Sequence, residues 1–413
     1  MPSKANPNVL DVLLDRGFVK DVSNLDGLRE TLRNPTVVYY GCDATARSFH
    51  VGNQVGMMTL AWLQRFGHRP IALMGGGTTM VGDPSGRSAE RPIMSRDDIA
   101  ANAERLKPQF ARFIDFGAGA MMLDNSEWLL LLKLIDFLRD VGSKFTVNHM
   151  LAHETYRVRL EQGGLSFLEF SYQLLQAYDY LYQYRNYDCR FQVGGSDQWA
   201  NILAGVDLVR RAEGVEVFGL VWPLITTSSG AKMGKTATGA VWLDPNLLSP
   251  YEYYQFWINT DDADVGRFLA LFTFLPMEDV QRLGGLEGAE LRVAKEELAM
   301  EVTTIVHGAE AAEKARAASR ALFDGQGEPE DVPTATLSRE RLGDGLPVTD
   351  LVYEVGLRSS KRDVRRLIED GGLSVDGARV ESVEHAIRPD DFANGSSILL
   401  KAGKKNFLRV VLN

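Results

Sequence analysis

Cysteine is nearly absent from this sequence: Cys42 and Cys189 are the two in 413 residues, and neither sits in a CxxC or another metal-ligand spacing. That excludes a disulfide framework and a cysteine zinc site, and both thiols are expected to be reduced, in core or pocket positions. No apolar run approaches the length that crosses a bilayer, and no charged-then-apolar leader opens the chain. The expected compartment is therefore the cytoplasm, with no membrane among the partners. Excess positive charge is missing too: 45 Lys and Arg stand against 55 Asp and Glu, a net charge of -10. Such a balance argues against wholesale coating of nucleic acid and leaves room for a local basic patch. Internal repeats and low-complexity tracts are absent as well. What remains is a chain that is 45% hydrophobic, globular and long enough for two or three domains.

The run "TVVYY" is β-branched and aromatic, as a buried strand is, and the turn "GCDATARSFHVGN" (41–53) follows it. Val51, Val55, Met58, Trp62 and Phe66 then recur at helical spacing, Gly67 and Pro70 stop the helix, and "IALMGG" reads as a second strand. This is the βαβ pattern of a parallel sheet, so the turn lies at the carboxyl edge of a strand, where the N–H groups of the new helix attract anions. The turn is either an ordinary loop or a seat for phosphate.

Three further stretches carry polar residues that packing alone does not require. In "GGGTTMVGDPSGRSAER" (75–91) the spacing and Arg87 do not make a phosphate P-loop; Asp83 can hold a substrate ammonium or cap its own turn. In "FSYQLLQAYDY", Tyr172, Gln176 and Asp179 fall at i, i+4 and i+7 on one arc of a helix, opposite Phe170, Leu174, Ala177 and Leu181. That stripe is a solvated face or the wall of a small pocket. "CRFQVGGSDQWANIL" repeats the strand, turn and helix arrangement, and two such turns at one sheet edge would define a topological switch point. Lastly, "TTSSGAKMGKTATG" (226–239) surrounds Lys232 and Lys235 with small residues: a mobile surface loop, or one that brings two charges to a polyphosphate.

Charge divides the chain. Residues 347–413 carry net +1 and the rest -11, and the Gly-, Pro- and acid-rich stretch between them reads as a linker. The expected organisation is an α/β domain over 1–245, an α-helical domain over 246–322, a linker over 323–346 and a small α+β domain over 347–413. In that tail Lys361, Arg362, Arg365 and Arg366 cluster on one short helix, with a second cluster at Lys401, Lys404 and Lys405. His149 and His153, with Glu154 beside them, lack an evident third ligand and read as a helix-surface pair. The tyrosines at 178, 180, 182, 184 and 187 are expected to pack the core and a dimer surface.

Taken together, "HVGN" resembles the HIGH signature and "KMGKT" the KMSKS signature of class I aminoacyl-tRNA synthetases. The 39–43 strand end, "GDPSG", "FSYQLLQAYDY" and "QVGGSDQW" narrow the resemblance to the bacterial tyrosyl-tRNA synthetase family, over nearly the whole chain and in the family's order of parts. The tail resembles an S4-type RNA-binding domain. The resemblance implies a Rossmann-like catalytic domain, a helical anticodon-side domain and an S4-like domain. It implies that L-tyrosine reacts with MgATP to give tyrosyl-adenylate and pyrophosphate, and that the tyrosyl group then passes to the 3′ end of tRNA(Tyr). Tyr39 and Asp179 would hold the substrate hydroxyl, and Asp83, Tyr172 and Gln176 its ammonium. Gln192, Asp197 and Gln198 would line the tyrosine and ribose region. Thr45 and His50 would touch the reacting phosphates, and Lys232, Lys235 and Thr236 would close over the pyrophosphate. Gly41, Asp43, Gly52, Asn53 and Gly195 complete the ATP side. Lys361, Arg362, Arg365 and Arg366 would grip tRNA. A homodimer is implied, and no protein-bound metal.

The sequence departs from the signatures at Asn53, in place of the second His, at Arg87, in place of a Lys, and at Gly234, in place of a Ser. A tryptophanyl-type enzyme and a non-synthetase nucleotidyltransferase are the alternatives; the latter would lack the helical and S4-like domains and the distant lysine loop.

Overall fold

The computed structural model describes residues 8–85, 93–161, 164–228, 230, 233–236, 239–324, 334–392, 397–403 and 406–413. Arg87, Lys232, Lys404 and Lys405 lie outside the described residues, and Lys235 and Thr236 are described as backbone only. The chain divides into two units, Met1–Leu248 with Phe256–Ala309, and Ser249–Gln255 with Glu310–Asn413.

The first unit is built on a sheet of β1 (Asp21–Val22), β2 (Val37–Asp43), β3 (Arg69–Gly75), β4 (Met121–Asp124), β5 (Cys189–Gly195) and β6 (Phe218–Trp222), ordered β1-β6-β5-β2-β3-β4. β2 pairs in parallel with both β3 and β5, and only β1 runs antiparallel. The chain thus leaves β2 towards β3 and β4 on one side and returns to build β5 and β6 on the other. That reversal makes the β2/β5 boundary the switch point of a Rossmann-like sheet.

β2 forms where it does because its apolar residues are buried on both faces, as central parallel strands require: Val37, Val38, Tyr39 and Tyr40 are all buried. α1 (Val51–Arg65) follows, burying Val51, Val55, Met58 and Trp62, and Gly67 ends the turn after it at φ +85°. Gly56 of α1 has a specific reason to lack a side chain: a Cβ there would stand 2.3 Å from Cε1 of Tyr40. α2 (Phe167–Tyr187) starts with a capping box between Ser166 and Glu169 and stops at Asp188 in the left-handed region. α3 (Trp199–Glu213) stops at Gly214, also left-handed. Later helices of the unit are Val265–Phe272, Met277–Gly284 and Leu291–His307; the first of them contributes Phe268 and Phe272 to an aromatic cluster in which the Trp257 and Phe272 ring centroids lie 4.9 Å apart.

In the second unit, Leu373–Val375, Ala378–Arg379, Ser397–Ala402 and Asn406–Leu412 form an antiparallel sheet, joined at its edge by Thr334–Leu337 in parallel with Asn406–Leu412. The stretch read from composition as a linker therefore supplies an edge strand. Its four residues, TATL, are too few to show a period, and the pairing is made with the far end of the chain.

Candidate active site

His50 stands at the N-cap of α1. Its Nδ1 accepts the Gly52 N–H at 3.0 Å, and its own N–H donates to Oδ1 of Asn53 at 3.2 Å, which closes a capping box. Because Nδ1 accepts, the proton of the neutral ring sits on Nε2, and the ring is a hydrogen-bond donor at its outer nitrogen. Asn53, which replaces the second His of the signature, uses its oxygen to hold the backbone of the first.

The lysine-rich loop lies against this same turn. Met233 is buried and its N–H bonds the Ile225 carbonyl at 2.8 Å, while the Val241 N–H bonds the Gly234 carbonyl at 2.9 Å. Gly234 adopts φ +82°, and a Cβ on it would stand 3.0 Å from the Gly52 nitrogen and 3.2 Å from His50 Nδ1. Departure from the signature serine is thus matched to a close approach and a left-handed backbone. Lys235–Thr236 continues as a short strand paired with Gly239–Ala240.

A second group of residues gathers at the β2/β5 boundary. Tyr39 is 1% exposed, and its hydroxyl has no hydrogen-bond partner among the described residues. Burial, then the charge of Asp179, pushes that phenol well above its ordinary range. Asp179, 2% exposed, accepts from Asn125 Nδ2 at 2.8 Å and from Trp128 Nε1 at 2.7 Å. Burial raises its carboxyl to about 7 despite these two donors, which favour the charged form. Asn125 and Trp128 were not among the residues expected from sequence. They follow β4, and no local pattern separates them from other loop residues. Trp128 is fixed by stacking on Tyr182, ring centroids 4.3 Å apart.

Towards the rim, the Tyr172 hydroxyl donates to Asp43 Oδ2 at 3.2 Å, and Thr78 Oγ1 donates to Asp43 Oδ1 at 2.8 Å. Asp83 is buried; Oδ1 takes the Ser85 N–H at 2.9 Å and Oδ2 takes Gln198 Nε2 at 2.6 Å. It therefore caps its own turn and also holds Gln198, the residue before α3. Oε1 of Gln176 and Oε1 of Gln192 are buried with no partner among the described residues. Gly195 leaves room for Asp197, whose Oδ1 would lie 2.6 Å from a Cβ. Gly41 and Thr45 are exposed.

In the second unit, α4 (Lys361–Glu369) buries Val364 and Ile368 and exposes Lys361, Arg362, Arg365 and Arg366. Lys361 pairs with Asp350 at 3.0 Å and Arg366 with Asp370 at 3.9 Å. His149 and His153 pack ring edge to face at 5.2 Å, and among the described residues no group of three or more His, Cys, Asp or Glu could hold a metal ion.

Comparison with known proteins accords with this geometry. The family model described as tRNA synthetases class I (W and Y) matches residues 31–324, and that of the tyrosine-tRNA ligase SYY-like C-terminal domain matches 325–410. The chain is 50% identical to the tyrosine-tRNA ligase of Clostridium beijerinckii over 98% of its length and 99% of that protein's. It is 49% identical to that of Paracoccus denitrificans over 100% of both. Among solved structures it resembles a C-terminally truncated mitochondrial tyrosyl-tRNA synthetase of Aspergillus nidulans, with TM-score 0.70 and 31% identity, over 77% of this chain and 95% of that one. The chain belongs to the class I tRNA synthetases of the tryptophan and tyrosine group and, within them, to the tyrosine-tRNA ligase family.

Proposed function

We propose that the pocket at the β2/β5 boundary activates L-tyrosine with MgATP and that the chain then transfers the tyrosyl group to tRNA(Tyr). The observation that carries this reading is the buried pair Tyr39 and Asp179. The Tyr39 hydroxyl has no partner among the described residues, and Asp179 is held by Asn125 and Trp128 with acceptor capacity to spare. A phenol entering there would donate to the carboxylate and accept from Tyr39. Asp83, Tyr172 and Gln176 take the substrate ammonium; Gln192 and Gln198 line the tyrosine side, and Asp197 with Gly195 the ribose side. Gly41, Asp43, Thr45, Gly52 and Asn53 surround the nucleotide. His50, Lys232, Lys235 and Thr236 act on the phosphates, by positioning and by stabilising developing charge. Magnesium enters with ATP as part of the substrate. Exchange of labelled pyrophosphate into ATP, run with each of the twenty amino acids, is expected to depend on tyrosine alone; equal exchange with tryptophan would overturn the reading.

The domain assignments carry over as part of this proposal: 1–245 catalytic, 246–322 helical, 347–413 for tRNA. Lys361, Arg362, Arg365 and Arg366 present a basic face that suits RNA phosphates. Neutralising all four is expected to lower the salt slope of tRNA binding by about 0.7 to 0.9 for each phosphate that they neutralise, with tyrosine activation unchanged. An unchanged slope would return the helix to being a solvated face. A homodimer is supported by Leu131, Leu134, Ile135, Val147 and Phe167, which stand exposed in the first unit. No helix among the described residues is long and apolar enough to cross a membrane, and we assign the protein to the cytoplasm.

A further inference from the structure

The root of the lysine loop is tied down by side chains that none of the signatures contains. Asp264, 3% exposed, ends the turn Asp262–Asp264 that precedes the helix Val265–Phe272. Its Oδ2 accepts the Ser228 N–H at 2.7 Å, and its Oδ1 accepts from Arg267 Nη2 at 2.7 Å. The same Nη2 donates to the Thr226 carbonyl, and Ser228 Oγ donates to Asp261 Oδ2 at 3.0 Å. A buried carboxylate needs such donors, and one of its two comes from the loop backbone itself. Further along, the loop is held again at Met233, bonded to Ile225, and at Gly234, packed on the N-terminus of α1. Only four residues, 229–232, separate the two fixed points, and Lys232 is one of them.

We propose that Asp264 and Arg267 are positioning residues for adenylate formation, clamping the entry of the lysine loop so that its charges meet the pyrophosphate end of ATP without a further search through loop conformations. This rests on the assignment of that loop to the pyrophosphate. Among the described residues the pair bonds to none of the tyrosine-side residues named above, so loosening it should slow the chemical step and leave tyrosine affinity alone.

The test compares Arg267→Met, Asp264→Asn, Lys235→Ala and the double variant Arg267→Met with Lys235→Ala, by single-turnover adenylate formation and by equilibrium tyrosine binding. Arg267 has 43% of its side chain exposed, and methionine keeps a long unbranched side chain in its place, so this variant keeps the question open to test should Asp264→Asn fold poorly. Arg267→Met is expected to slow activation about tenfold, with tyrosine affinity within about twofold, and to cost markedly less in the Lys235→Ala background, since both act through the loop. Faster trypsin cleavage after Lys232 or Lys235 should accompany it. If Lys235→Ala slows activation but Arg267→Met and Asp264→Asn do not, the clamp is refuted and the loop assignment stands. Parallel loss of tyrosine affinity, or additive effects in the double variant, would make the pair merely structural. No effect from Lys235→Ala would remove the loop assignment, and the clamp with it.

Discussion

Replacing His50 by alanine is expected to slow tyrosyl-adenylate formation by about 10²-fold or more while tyrosine affinity stays unchanged. In the proposed reaction the ring has two roles. Nδ1 caps α1 through the Gly52 N–H, and Nε2–H would act as a donor near the helix N-terminus, where charge would develop on the phosphate in the transition state. Alanine removes both, and loss of the cap alone should cost about 1 kcal/mol of stability. His50→Asn separates the two roles, because its short side chain can cap the helix but cannot carry a donor to the position of Nε2. Asparagine should therefore restore much of the thermal stability and little of the rate. A wild-type single-turnover rate in His50→Asn would show that the ring acts only as a cap.

Truncating Asp179 to alanine is expected to lower kcat/KM for tyrosine by about 10²-fold or more, with little change for phenylalanine, because a charge-assisted hydrogen bond to the substrate is lost; the Trp128 N–H also loses its acceptor, while Asn125 keeps Thr78 Oγ1. Asp179→Asn should fare no better. Its one oxygen cannot serve both donors, and its amide N–H would face one of them. Tyr39→Phe should cost only about two- to tenfold in tyrosine kcat/KM and should not lower the melting temperature, since the hydroxyl it removes has no partner among the described residues. Asp179 also sets the pH dependence. Its carboxyl is pushed up to about 7, and the substrate phenol donates to the ionised form, so protons compete with tyrosine. Affinity should fall as pH drops below about 7, by at most about tenfold per unit. Equilibrium titrations of tyrosine across that range check the slope; the same slope in Asp179→Asn would assign it to another group, and selectivity over phenylalanine that survives both variants would move the hydroxyl-reading site elsewhere.

The parts of this molecule that could be read from sequence are those where a repeating local pattern and burial agree. β2 and α1 are of this kind: a β-branched and aromatic run, then Val51, Val55, Met58 and Trp62 at helical spacing, with Gly67 to end it. The stripe of Tyr172, Gln176 and Asp179 was legible as one arc of a helix, but periodicity left open whether it faced water or a pocket. Tertiary structure took Tyr172 and Asp179 out of water, and it brought Asn125 and Trp128 onto Asp179 from more than 50 residues away. It also decided the pairing of Thr334–Leu337 with the last strand, the seat of Gly234 on His50, and the clamp of Asp264 and Arg267 on the loop root. Each of these joins residues with no shared period. A single hydrogen bond or close approach between distant segments leaves no trace in either segment's own pattern, whereas a strand or helix face repeats its requirement every two to four residues.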